Sequence, residues 1–171
     1  MRHLSGLAIF ASATLALGAG YQGPGPVRNF PARYSDGEAV VYEMWASNGQ
    51  QNAHQTRRRQ FSDVLVFDDE TTLRFVGAAS EPFPTVATWR PLSARAIRFT
   101  YTPETAAAAR EYVRDGLGTV SGFRMRIGRG RLDFAKGGAS YRGTQSMRAT
   151  GRYRGIWFTM EIQVAFTGTR Q

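Results

Sequence analysis

Histidine, cysteine and paired carboxylates carry much of protein chemistry, and this chain is sparing with the first two. After His3 its single histidine is His54, in the polar run Gln50-Gln51-Asn52-Ala53-His54-Gln55. A Ser-His-Asp triad would have to use that ring. No G-x-S-x-G elbow accompanies it; the nearest string, Gly138-Ala139-Ser140-Tyr141-Arg142-Gly143, has the wrong spacing. There is no cysteine, which removes disulfides, thiolate metal sites and thiol nucleophiles together. A zinc site with one histidine would need mostly carboxylates. Asp68-Asp69-Glu70 lacks the D-x-[DN]-x-[DN]-G order of a calcium loop and reads as a charged hairpin turn. Neither Gly116-x-Gly118 nor Gly128-x-Gly130 opens a helix after a strand, and no G-K-[ST] is present. No catalytic residue, metal site or cofactor is therefore assigned. One carboxylate stays in view for a barrel enzyme: Asp63, expected to face inward with Phe61 and Leu65.

Arginine is the abundant reactive surface. Of 22 basic residues only Lys136 is lysine, and the formal net charge is +9. From Val120 onward ten basic residues face only Asp133 and Glu161, so this third carries +8, whereas residues 21–119 balance 11 arginines against 11 acids. Such asymmetry suggests a polyanionic neighbour. Arg124, Arg126, Arg131, Arg142 and Arg148 all alternate with apolar side chains. On neighbouring strands they form an outer stripe, and a guanidinium fork binds phosphate or carboxylate bidentately. Trp157 shares the outward parity, with Arg152 and Arg154 just before it.

Strands must position these groups. Ala39–Trp45 is rich in β-formers; 50–59 reads as a polar loop ending in Arg57-Arg58-Arg59. Phe61–Phe67, the turn at 68–71 and the return at Thr72–Val76 make a hairpin signal. Glu81-Pro82-Phe83-Pro84 reads as a loop, with strands at Val86–Trp89 and Arg95–Tyr101 on its far side. One helix interrupts the series. Thr102 is its N-cap, Pro103 its first residue and Gly116 its stop, so it should span Pro103–Asp115 with a thin apolar face of Ala106, Ala109, Tyr112 and Val113. Thereafter Phe123/Met125/Ile127, Leu132/Phe134 and Tyr141–Ala149 alternate, and Gly128-Arg129-Gly130 is a turn. The clearest strand is the last, with Ile156, Phe158, Met160, Ile162, Val164 and Phe166 on one face. The fold class is mainly β: an antiparallel up-and-down barrel of eight or nine strands with one helix midway, or alternatively a two-sheet sandwich.

The N-terminus sets a compartment. Arg2, the uncharged run from Leu4 to Leu17 and small residues at Gly18, Ala19 and Gly20 follow the order of a cleaved signal peptide. A spanning helix needs about 20 apolar residues, so residues 1–20 are expected to be removed and the protein exported, periplasmic or secreted. No transmembrane segment is expected after cleavage. Residues 21–36, with Gly23-Pro24-Gly25-Pro26 and Pro31, read as a linker. Residues 37–171 then form a single domain starting near Gly37.

The string FSDVLVFDDETTLRF, the later Thr88-Trp89, the capped helix and the final alternating strand together resemble the uncharacterised, exported, lipocalin-like β-barrel domains of bacteria. The likeness is one of architecture and spans most of residues 37–168. It implies an exported barrel that binds an apolar ligand. The inward parity assigns Tyr42, Phe61, Phe75, Phe99, Tyr141 and Phe158 to the lumen, as candidate contacts for a small apolar ligand or lipid. Three functions stand as expectations: a non-enzymatic barrel holding such a ligand, a binder of an anionic envelope component through the arginine stripe, and a barrel enzyme with a lumenal carboxylate.

Overall fold

The computed structural model describes residues 26–27, 29–77 and 85–171. The expected signal peptide and the first part of the Pro/Gly linker lie outside them, as does the Glu81–Pro84 loop. Among the described residues the order is β1 (Ala32–Ser47), β2 (Asn52–Phe67), β3 (Thr72–Gly77), β4 (Thr85–Ser93), β5 (Ala96–Tyr101), α1 (Pro103–Leu117), β6 (Val120–Ile127), β7 (Gly130–Phe134), β8 (Ser140–Tyr153) and β9 (Ile156–Arg170). No helix among them is long and apolar enough to cross a membrane.

All nine strands belong to one antiparallel sheet, in the order β6-β8-β7-β5-β4-β3-β2-β1-β9, and β8 also pairs with β9. That last pairing closes the sheet into a barrel-like ring, so a single closing sheet replaces the two-sheet alternative. The long β8 makes closure possible. Its residues 141–144 pair with β7 and residues 147–153 with β6, so β6 and β7 lie end to end along one edge of β8. Gly128-Arg129-Gly130 joins these two collinear strands rather than turning a hairpin. Gly130 is required there because a Cβ would fall 2.0 Å from the Phe99 ring.

Two boundaries differ from the sequence expectation. The first strand starts at Ala32, not near Gly37, because Ala32 and Tyr34 already point into the core. The polar 50–59 stretch is the first half of β2, paired with β1 from Ser47↔Asn52 to Val40↔Arg59. Residues 52–62 are exposed almost throughout. β2 meets β3 only through Asp63–Phe67, so among the described residues this half is an edge. Charged side chains suit such an edge, and they hide the alternation by which a strand is recognised. The parity of β9 holds from Phe158 onward, with Phe158, Met160, Ile162, Val164 and Phe166 buried and Trp157 outside at 53% exposure; Ile156, expected on the buried face, is exposed at the start of the strand, beside the turn from β8.

The lumen is filled at one end. Tyr34 meets Phe67, Phe134 and Tyr141 edge-on at 5.4–5.9 Å. Phe75, Phe99 and Phe166 form the next layer, with centroids 5.4–5.8 Å apart. At the other end α1 substitutes for missing sheet. Thr102 caps it by accepting from Thr105 N–H (3.3 Å). Thr105 Oγ1 accepts from Val86 N–H of β4 (3.0 Å), and Arg110 Nε donates to the Met125 carbonyl of β6 (3.2 Å). The helix thus bridges the opening between β4 and β6 and satisfies an edge carbonyl. It runs two residues past the expected Asp115, and Gly118, at φ 77°, is its C-cap in place of Gly116.

Candidate functional site

A cavity of about 450 Å³ lies between α1 and residues of β1, β2, β4, β5, β6, β8 and β9. Its apolar wall is Val40, Val164, Ile162, Met147 and Met125, with Ala109 and Val113 from the helix. Tyr42, Phe61, Tyr101 and Tyr112 add four rings, and Glu38 and Asp63 add carboxylates. A second cavity of about 340 Å³ shares Tyr42, Tyr112 and Val113 and continues along the helix past Met44, Leu117, Met160, Arg57 and Arg59. Strand geometry explains the lining. β1 and β2 lie in register with Glu38 opposite Phe61 and Asp36 opposite Asp63, and side chains opposite one another across a ladder share a face.

The expected lumenal residues divide between two environments. Tyr42 and Phe61 line the cavity, Phe61 at 41% exposure. Phe75, Phe99 and Tyr141 are buried in the packed part of the core and lie outside the lining; Phe158, also buried, borders an open hollow of about 640 Å³ beside Trp45, His54 and Trp157. His54 stacks on Trp45 at 5.0 Å. Asp63 does face inward, and β1 brings two further acids to it that the sequence reading did not find. One oxygen from each of Asp36, Glu38 and Asp63 lies within 4.8 Å of the others. The signal was available as an acidic residue at every inward position from Asp36 to Glu38 of β1, but it needed the β1–β2 register to be read.

Asp36 is the buried member, 3% exposed. Tyr141 donates its hydroxyl to Asp36 Oδ1 at 2.5 Å. Oδ2 has no hydrogen-bond partner. Burial pushes the Asp36 carboxyl up to about 6; the Tyr141 hydrogen bond opposes this and the nearby Asp63 adds to it. Burial, with Asp36 beside it, also raises Tyr141. Such a group can hold or release a proton near neutrality, and three carboxylates in this space attract cations. Among the described residues Gln145 Oε1 is likewise buried without a partner, and neither Asp36 nor Gln145 is part of the cavity lining.

The arginine stripe is on the outer wall as expected: Arg124, Arg126, Arg131, Arg142 and Arg148 are all exposed. It is partly neutralised, since Arg131 pairs with Asp133 (2.7 Å) and Arg148 with Glu161 (3.3 Å). The structure extends it in a direction the sequence did not indicate. Arg90, Arg98 and Arg131 occupy one cross-strand row through β4, β5 and β7. Arg90, Arg98 and Arg129 surround a hollow of about 260 Å³ with Thr88 and Thr100. Arg152 covers the Trp157 ring at 4.1 Å.

No protein-family model matches the chain, and no curated protein matches it. Among solved structures it is similar to the ywiB protein from Bacillus subtilis, known from a crystal structure. The two are 8% identical with a TM-score of 0.26, over 77% of this chain and 91% of the other.

Proposed function

We propose that the protein is an exported, non-enzymatic barrel that holds one small, largely apolar ligand beneath α1. The observation that carries this reading is the 450 Å³ space lined by residues from seven strands and a helix. That volume falls in the range of small-molecule sites, which are mostly apolar with a few placed polar groups. The filled aromatic end makes a rigid floor, and the helix makes a separate cover.

The test is titration of the purified protein with an apolar fluorescent probe, N-phenyl-1-naphthylamine, beside native mass spectrometry for carried ligand. Val113 lines both cavities, so Val113→Trp fills the shared space. Saturable binding at one site, weakened at least about tenfold by Val113→Trp with the circular dichroism unchanged, supports the reading. Absent binding, or binding that ignores the substitution, removes it.

A second reading, contact with an anionic envelope component, is supported by the Arg90–Arg98–Arg131 row. Like charges directly opposite in a ladder cost stability, and a bound anion would offset that cost.

A further inference from the structure

The second reading leaves open which anion the outer wall takes. Resting on that reading, we infer that the hollow among Arg90, Arg98 and Arg129 is a site for one terminal phosphate group, a phosphomonoester dianion. Strand register builds it as a grid. Thr88 stands opposite Thr100, and Arg90 opposite Arg98, on β4 and β5. Arg98 stands opposite Arg131, and Phe99 opposite Gly130, across β5 and β7, so Arg129, one residue further, extends the Thr88–Thr100 row. Phe99 and Leu132 are buried, so positions 98, 100, 129 and 131 face outward. Three arginines and two threonines thus converge on about 260 Å³. The backbone before Arg129 is clamped: the Gly128 N–H donates to the Ser146 carbonyl (2.8 Å), and the Gly128 carbonyl accepts from Gln145 Nε2 (2.9 Å). A site held in shape before the ligand arrives gives up less freedom on binding.

Counter-ions separate this hollow from the rest of the wall. Arg131 donates to both oxygens of Asp133 at 2.7–3.0 Å, and Arg148 has Glu161. Among the described residues no ion pair joins Arg90, Arg98 or Arg129 to a carboxylate. Thr88 Oγ1 is engaged by a 3.4 Å bond to the Thr100 carbonyl, too long to hold it firmly. Three guanidinium groups and two hydroxyls therefore share a space without a negative charge, in a molecule of net +9 that draws anions. The ligand class follows from charge and oxygen count. A terminal phosphate presents three oxygens and a charge of about −1.5 to −2, enough for more than one guanidinium fork. A phosphodiester or a carboxylate presents two oxygens and a single charge, and leaves part of the donor set unused.

Calorimetric titration of the full chain with phenyl phosphate, methyl phenyl phosphate and benzoate tests this. Phenyl phosphate should bind one to one, at least about tenfold tighter than either of the others. Arg98→Gln and Arg129→Gln should each weaken it at least about tenfold, whereas Arg58→Gln, which removes the same charge from the β2 edge, should change it less than about twofold. Phenyl phosphate should also raise the Tm of the unmodified chain and of Arg58→Gln but not of Arg129→Gln, and the same melts show that the variants fold. Equal binding of the three probes, no binding of phenyl phosphate, or equal losses from Arg58→Gln and Arg129→Gln overturns the inference. The second reading then still stands if heparin retention depends on Arg90, Arg98 and Arg131, and falls if it does not. Sedimentation with phosphatidylcholine vesicles carrying either phosphatidic acid or phosphatidylglycerol separates the sources. A preference for phosphatidic acid, lost in Arg129→Gln, supports a lipid-borne phosphate; no preference, with phenyl phosphate bound, supports a soluble one.

Discussion

Asp36 occupies an inward position where the barrel is closing, so its carboxyl sits among Tyr141, Asp63 and Glu38 rather than in water. The consequence for stability has a definite sign. With the folded carboxyl raised from 3.8 to about 6, the native state holds a proton that the unfolded chain has already released between those two pH values. That contribution is fully present below about pH 4 and is lost as pH rises through about 6. The shift corresponds to roughly 3 kcal/mol. Asp36→Asn keeps an acceptor for the Tyr141 hydroxyl and carries no charge. Its Tm should exceed that of the unmodified chain at pH 8 and match it near pH 4, so thermal melts across this interval show the difference opening as pH rises. A constant difference at every pH would mean that the carboxyl ionises freely in the folded state. Tyr141→Phe removes the hydroxyl hydrogen bond and should raise the Asp36 midpoint further, read by following the Asp36 carboxyl carbon by NMR.

The elements hold this chemistry in place through a few backbone bonds, and α1 depends on them most. Its apolar face is thin, as expected from Ala106, Ala109, Tyr112 and Val113, so packing alone gives it little. Thr105 does two jobs, closing the N-cap and accepting from Val86 N–H at 3.0 Å. Thr105→Val conserves shape and leaves the Val86 donor without that acceptor, which should cost about 1–3 kcal/mol. Hydrogen exchange should quicken at Val86 and along the first turn of α1, while β8 and β9 stay protected. Uniform quickening would instead mean that helix and barrel open as one unit. Legibility in the sequence follows the same logic. The cap at Thr102, the hairpin at 68–71 and the faces of β9 were readable because each rests on local spacing: an N-cap three residues from its donor, an Asx turn in which Asp69 accepts from Thr71 and Thr72, and strict alternation against one core. The first half of β2 was not readable, because an exposed edge has no buried face to impose a period of two. The carboxylate trio and the Arg90–Arg98–Arg131 row were not readable either. Both depend on register between strands, which spacing within one strand does not specify.

For the molecule as a whole, charge is distributed unevenly between the faces: Asp36, Glu38 and Asp63 cluster on the inner side, and arginines predominate across the outer wall of β4, β5, β6, β7 and β8, where Asp133 and Glu161 pair with two of them. A nine-stranded sheet that closes through β8–β9 gives that distribution rigidity, since inner and outer side chains alternate on every strand. The outer wall makes its own prediction. Three guanidinium groups in register on adjacent strands form a dense positive row. Anion binding there releases counterions, so affinity should fall steeply and linearly in log–log form as salt rises. The edge arginines Arg57, Arg58 and Arg59 are a matched control, equal in number and exposed on β2. On a heparin column, Arg90→Gln/Arg98→Gln/Arg131→Gln should elute at markedly lower salt than Arg57→Gln/Arg58→Gln/Arg59→Gln, although both carry the same net charge. Removing the row should also relieve the like-charge cost across β4, β5 and β7, so its Tm in low salt should rise or hold. If the two triple variants elute together, retention reflects total charge alone and the row is an ordinary solvated surface. The Arg90–Arg98–Arg131 row lies outside the lining of the ligand cavity, whereas Arg57 and Arg59 line the adjoining one, so only the control variant touches a cavity wall.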